Sequence, residues 1–385
     1  MRQTIGQTIK YSEGTQSAYA EKTRISASAR LLSIDIVRGW AMLTMLLTHA
    51  GNEISNVDYR SAFRWSELSS VEMNSAQNWI GFAIGISAPA FFILLGMGFS
   101  LFVVSRKKRK WSEWEITKFS IVRGLIFIAI EQLVLNWQFT TFQYHPNVGV
   151  LTSMGIILII LALLRRFNVW TVAVFGIMIL LGVQAYYYFV GQPADYNVLR
   201  SLFVVQSSSP METTEFTFPI LGWLPLVLLG YVTGNLIAEK RITLRRLSKL
   251  VGIGLLILFF AIRVLNGFGN LYDEHFFAFT KIPPSLAYTL FYAGIVFIMM
   301  WLYTYSKGGA LNTILALFGQ TSLLFYVLHE EFILNLTGRI FNEFPYSPIM
   351  LTFISFSFAA VVLYFVCYRY RDLRRKYPDS ALKYF

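Results

Sequence analysis

The chain is 385 residues long, 55% hydrophobic and only 14% charged, with a formal net charge of +12. So little polar surface excludes an ordinary soluble domain of this size. A single cysteine, Cys367, excludes an internal disulfide and a cysteine-based metal centre. The basic excess sits in short gaps between apolar runs, where Lys and Arg set membrane topology and meet anionic lipid, so it calls for no nucleic-acid partner.

Residues 1–30 are rich in Ser, Thr, Gln and Ala and lack an apolar core, which reads as a flexible cytoplasmic tail and not a cleaved leader. Ten apolar runs follow, over residues 32–51, 79–104, 119–140, 148–164, 168–190, 218–238, 250–268, 283–305, 311–336 and 347–368. Most reach the roughly 20 residues that a helix needs to cross a hydrocarbon core of about 30 Å. Of the 33 Lys and Arg residues, 25 fall before the first run, after the last, or in every second gap between. The alternate gaps hold only Arg60, Arg64, Arg200, Lys281 and Arg339. The positive-inside tendency then predicts an all-α, multi-pass membrane protein of about ten helices with both termini in the cytoplasm. Its parts are the tail 1–30, a membrane domain over 31–370 and a basic cytoplasmic tail over 371–385. The bilayer is its first partner; nothing in the sequence indicates an oligomeric state.

A charged side chain in a bilayer costs several kcal/mol, so ionisable residues inside the runs are the first candidates for chemistry. In the first run Asp35 and Arg38 share a helix face three residues apart and suit an ion pair. Arg38 and Arg123 of the third run alternatively suit a cytoplasmic anion site, because guanidinium groups grip phosphate in bidentate fashion; a third reading has both simply snorkelling to headgroups. His49 follows Arg38 by eleven residues, about 16 Å along a helix. An imidazole there suits a general base, or a hydrogen-bonded structural group. Glu131, at the outer end of the third run, reads as a partner for a histidine, a partner for Arg263 of the seventh, or a silent protonated acid. Lys281, Pro284 and Ser285 open the eighth run, either as helix punctuation or as the edge of an external pocket. His329, followed by Glu330 and Glu331, lies in the ninth run, and adjacent helical residues diverge by about 100°. His145 and His275 fall in external gaps as solvated residues. A metal held by His49, His329 and Glu131 has no supporting ligand spacing, and no metal is expected. Phosphate-cradling loops and nucleophile elbows are absent. Gly81, Gly85, Gly96 and Gly98 of the second run point to close helix packing.

Four segments together resemble the family of heparan-α-glucosaminide N-acetyltransferase, a group of multi-spanning acyltransferases with bacterial members. They are Ser33 to Gly39 with His49, Ser87 to Gly96, Lys281 to Leu286, and Phe318-Gly319 through Phe325-Tyr326 to His329. The resemblance implies transfer of an acyl group, usually acetyl, from cytoplasmic acyl-coenzyme A to an extracytoplasmic acceptor such as a sugar. It implies a donor side at Asp35, Arg38 and Gly39 and matches His49 and His329 to the family's histidines. Read from the residues themselves, Arg123 joins the donor side, His329 or Glu131 assists His49 as base, and Arg263, Lys281, Pro284 and Ser285 border the acceptor. Residues 50–78 hold no histidine, unlike the first external loop of the lysosomal enzyme, so a glucosamine amine is not fixed as the acceptor. Direct transfer and a transient acyl-histidine both remain open. The competing class is a transporter or lipid flippase, with the same charges lining a path.

Overall fold

The computed structural model describes residues 32–55, 76–138, 143–191, 196–205, 207–208, 214–267, 276–341, 346–377 and 380. The expected tail 1–30 and most of the first external gap lie outside them. Each apolar run is matched by helix. α1 covers residues 32–54. It is followed by α2 (Ala76–Ile84), α3 (Ser87–Lys108), α4 (Glu113–Ile130), α5 (Val150–Leu164), α6 (Val169–Val190) and the short α7 (Val198–Phe203). Then come α8 (Ile220–Ala238), α9 (Leu244–Leu265), α10 (Leu286–Tyr303), α11 (Ala310–Gln320), α12 (Ser322–Leu328), α13 (Asn335–Phe341) and α14 (Pro348–Lys376).

Six helical stretches are long and apolar enough to cross a membrane: α2 with α3 as one unit, α6, α8, α9, α10 and α14. A seventh would combine α11 and α12, which bend by 77° at the break between them. The difference from ten has a physical cause. α1 carries Asp35, Arg38, His49 and Glu53, α4 carries Glu113, Glu115, Lys118 and Arg123, and α5 has only 15 residues. α14 also runs past its expected end at 368 to Lys376, so the start of the basic tail is helix.

The outward faces are apolar where water would demand polarity. Val174, Ile177 and Met178 of α6, Ile257, Leu258 and Val264 of α9, and Val361 and Phe365 of α14 are all exposed. Such continuous apolar surface is the mark of a lipid-facing protein.

Inside, the helices form a larger and a smaller group. α3, α4, α5, α8, α9 and α10 share one core, whereas α11, α12 and α14 build a second around Leu317, Phe325 and Leu363. α1 lies between, giving Val37 and Ala41 to the first and Met42, Met45 and Leu46 to the second. The α3–α8 crossing is tight because of its glycines: a Cβ on Gly96 would strike the Val227 carbonyl, and one on Gly230 the Ile93 carbonyl. Two-residue strands decorate one end. β1 (Trp137–Gln138) pairs antiparallel with β2 (Gln143–Tyr144). β5 (Glu215–Phe216) lies between β3 (Asn147–Val148), parallel to it, and β4 (Ser207–Ser208), antiparallel.

The basic helix ends meet one another. Lys107 of α3 pairs with Glu113 of α4 at 2.9 Å, and the buried Arg165, just after α5, pairs with the same carboxylate and donates to Thr117 at 2.8 Å. Lys107 and Arg165 hold the Glu113 carboxyl below its usual range. A capping box between Ser112 and Glu115 starts α4.

Candidate functional site

α1 presents a polar centre at each end. Near its start Arg38 Nη1 lies 3.2 Å from Asp35 Oδ1 and donates to the Gly319 carbonyl at 3.2 Å. Gln320 Nε2 donates to Asp35 Oδ2 at 3.1 Å. The two helices touch backbone to backbone: a Cβ on Gly39 would overlap the Leu315 carbonyl, and one on Gly319 the Asp35 carbonyl. Two of the four resemblance segments therefore face each other, and their glycines are what allows Arg38 to reach across.

The ion pair does not remove Arg38 from solvent. It lines a cavity of about 340 Å³ together with Arg123 of α4 and Arg374 of α14. The walls are apolar and aromatic, among them Met42, Phe91, Leu94, Phe99, Phe127 and Tyr326. The Arg123 guanidinium carbon lies 5.7 Å from the Phe127 ring centroid. Three guanidinium groups around one apolar-walled space suit a ligand that is both multiply anionic and partly apolar. Sequence reading found Arg38 and Arg123 but missed Arg374, which looked like one more charge of the terminal basic cluster.

At the far end of α1, His49 meets the turn that follows α12. That turn, His329–Leu334, is π-helical, a widened geometry that recurs at functional sites. It brings two consecutive side chains onto His49. His49 Nδ1 is 2.9 Å from Glu330 Oε2 and 3.3 Å from His329 Nε2. His329 is buried, with 1% of its side chain exposed, against 22% for His49 and 39% for Glu330.

Hydrogen bonding assigns the tautomers. His329 Nδ1 lies 2.6 Å from the Tyr326 carbonyl, which can only accept, so that nitrogen carries the proton and Nε2 keeps a lone pair. The proton between the imidazoles then belongs to His49 Nδ1, shared between Glu330 and His329. His49 Nε2 is left as a basic lone pair, with a carboxylate behind the ring to stabilise an imidazolium, as a catalytic base requires.

The other expected site residues lie elsewhere. Glu131 reaches neither histidine nor Arg263 by any hydrogen bond among the described residues. Its carboxylate accepts from the backbone N–H groups of Gly149, Leu151 and Thr152 at 3.0, 3.0 and 2.8 Å. It caps the N-terminus of α5, where a negative charge meets the positive end of the helix dipole. The grouping of His49, His329 and Glu131 therefore does not form, and Glu330 takes the third place.

Lys281, Pro284, Ser285 and Arg263 line neither the arginine cavity nor a second, mainly apolar cavity of about 910 Å³ beside Trp40, Phe82 and Met299. Ser285 caps α10, accepting from Tyr288 N at 3.2 Å, and its backbone N–H closes a turn on Thr280 O at 3.0 Å. Gln184 of α6 bridges the same joint, accepting from Leu286 N at 2.7 Å and donating to the Phe276 carbonyl. Pro284 packs on Gly222 of α8. The element is a structural joint between α6, α8 and α10. Arg263 is buried in the last turn of α9. His145 is exposed. His275 and the Glu331 side chain lie outside the described residues.

The two centres do not share a chamber, since neither imidazole lines the arginine cavity. Tyr326 stands between them: it lines the cavity, its carbonyl holds His329, and its ring lies 5.5 Å from the His329 ring.

Fold and site together define a multi-pass helical membrane protein with an arginine-lined cavity and a histidine centre on one helix. The chain belongs to the family whose model is described as heparan-alpha-glucosaminide N-acetyltransferase, catalytic, which matches residues 30–259. Asp35, Arg38, His49, Arg123 and Glu131 fall inside the match; His329, Glu330 and Arg374 lie beyond it. No curated protein sequence matches the chain.

Proposed function

We propose that the protein is an acyltransferase of a bacterial inner membrane. It takes an acyl group, acetyl in the simplest case, from cytoplasmic acyl-coenzyme A and passes it to a hydroxyl or amine of an extracytoplasmic acceptor such as a cell-envelope sugar. One observation carries this reading: α1 places Arg38 on a cavity ringed by three arginines and His49 in contact with Glu330 and His329.

Ten crossings with both termini on the cytoplasmic side accompany the proposal. Its support is the gathering of the basic ends. Lys107 and Arg165 share Glu113, Arg38, Arg123 and Arg374 share one cavity, and Arg245 donates to Tyr305 just after α10. The short apolar α5 and the charge-bearing α1 and α4, which would not span alone, would cross inside this bundle.

In the reaction, the phosphates of coenzyme A lie against Arg38, Arg123 and Arg374, and its pantetheine arm follows the apolar wall from Met42 toward Tyr326. The acceptor O–H or N–H gives its proton to His49 Nε2 as the heteroatom attacks the thioester carbonyl. Glu330 holds the ring and stabilises the imidazolium; His329 orders the cluster through Tyr326. Collapse of the tetrahedral intermediate expels the thiolate, which recovers the proton from His49. Because Tyr326 stands between the two centres, transfer requires its side chain to move aside so that the thioester reaches His49.

The test is coenzyme A binding to the detergent-solubilised protein. Saturable binding, weakened about tenfold or more in Arg38→Ala and in Arg374→Ala, is expected. Folded wild-type protein that binds no coenzyme A yet drives solute uptake into vesicles would contradict the proposal and favour transport.

A further inference from the structure

The histidine centre holds three potential ligand atoms around a single proton. His49 Nδ1, His329 Nε2 and Glu330 Oε2 form a triangle with sides of 3.3, 2.9 and 3.9 Å. Two nitrogens and a carboxylate oxygen thus converge where only one hydrogen is available. The point equidistant from such a triangle lies about 2.0 Å from each corner, the distance at which Zn²⁺ takes imidazole nitrogen and carboxylate oxygen, roughly 2.0–2.2 Å. Displaced slightly from the plane, an ion there would keep a fourth, open position.

The surroundings match such a site in two further respects. His329, fully enclosed, already directs Nδ1–H to the Tyr326 carbonyl at 2.6 Å, which fixes the ring and orients Nε2, as the outer partners of zinc-binding histidines do. Glu330 and His49 are partly exposed, so an ion has a way in. The donor set of two imidazoles and one carboxylate selects a transition ion of the Zn²⁺ class over Mg²⁺ or Ca²⁺, which require oxygen cages.

We infer that His49, His329 and Glu330 form a binding site for a transition-metal ion such as Zn²⁺, with the ion taking the place of the proton on His49 Nδ1. The displaced proton passes to His49 Nε2. That nitrogen thereby loses the lone pair on which the proposed transfer depends, so occupancy switches the base off. Binding rests on the ligand geometry alone; its inhibitory effect rests also on the acyltransferase reading.

The experiment uses untagged, chelator-treated full-length protein in detergent, titrated with Zn²⁺ in the absence of any acyl substrate. One equivalent per chain is expected, with a rise in melting temperature. At least a tenfold loss of affinity is expected in Glu330→Gln and in His329→Asn, and none in Glu131→Gln, whose carboxylate caps α5. A wild-type protein that unfolds cooperatively but takes up no stoichiometric Zn²⁺ overturns the site, as does undiminished binding in both ligand variants. Because no acyl donor is present, this failure is separate from failure of the transferase proposal. Where Zn²⁺ binds, acetyl transfer is then followed with and without it. Loss of transfer restored by chelation supports the switch, whereas transfer unchanged at full occupancy overturns the assigned effect.

Discussion

The arginine cavity and the histidine centre share one helix, α1, yet they are built by opposite routes. The cavity gathers Arg38, Arg123 and Arg374 from three helices far apart in the chain, with apolar walls that make long-range charge effective. The histidine centre draws two of its three groups from consecutive positions, His329 and Glu330, and depends on a local π-helical turn to aim both at His49. One centre is a product of global packing and tolerates small displacements, because ionic attraction falls off slowly. The other is set by short contacts that a slight change of backbone geometry would break.

The sharpest break in this comparison is expected from the histidine side. His49→Ala is expected to lower acetyl transfer from acetyl-coenzyme A into an envelope extract by about 10²–10⁴-fold, the usual contribution of a general base, with coenzyme A binding unchanged. Glu330→Gln keeps the shape but loses the charge behind the ring, and a fall of about tenfold or more in turnover is expected, with little change in donor affinity. If that substitution acts on donor affinity instead, the division of labour is wrong.

The arginine side should yield the converse pattern. Arg374→Ala, like Arg38→Ala, is expected to weaken coenzyme A binding by about 1.5–3 kcal/mol, the worth of a hydrogen bond to a charged group, as read by isothermal titration. Residual turnover at saturating donor should survive in Arg374→Ala. Gly319→Ala tests the joint on which Arg38 depends. Its methyl group would overlap the Asp35 carbonyl, so a loss of about 1–3 kcal/mol in unfolding stability is expected, together with weaker donor binding.

The smallest effects belong to groups that serve only the fold. Glu131→Gln should cost about 1 kcal/mol through the α5 cap and leave transfer intact, which separates it from Glu330. Glu113 offers a pH test at the basic end. Its carboxyl is held below the ordinary range first by Lys107 and then by Arg165, so its contribution is complete above the ordinary value of 4.5 and fades as pH falls through the lowered one. A small drop in melting temperature below that range, missing in Glu113→Gln, is the expected reading; the exposure of Glu113 keeps it small.

How much of this the sequence discloses follows the same divide. The helices were legible because apolar length is a strong local signal, and Asp35, Arg38 and Arg123 stood out because charge inside such runs is rare. His49 and His329 were legible as types, and the structure puts them in contact. Their partner was not. Nothing in the order His-Glu-Glu announces a π-helical turn, so the regular 100° rule sent Glu330 elsewhere and left Glu131 as the apparent acid. Arg374 was hidden for a different reason, as it stands among Arg371, Arg375 and Lys376, and only packing distinguishes it from its neighbours. The 77° break between α11 and α12 has no proline to mark it; its signal is the short polar interruption Gly319-Gln320-Thr321-Ser322 inside an otherwise apolar run. Lys281 to Ser285 shows the reverse case, a distinctive motif whose described contacts are those of a joint between helices.

The most direct test of the account measures donor binding and acyl transfer side by side in His49→Ala. The account requires wild-type affinity for coenzyme A with transfer reduced at least a hundredfold. A His49→Ala protein that transfers acetyl at the wild-type rate would contradict it.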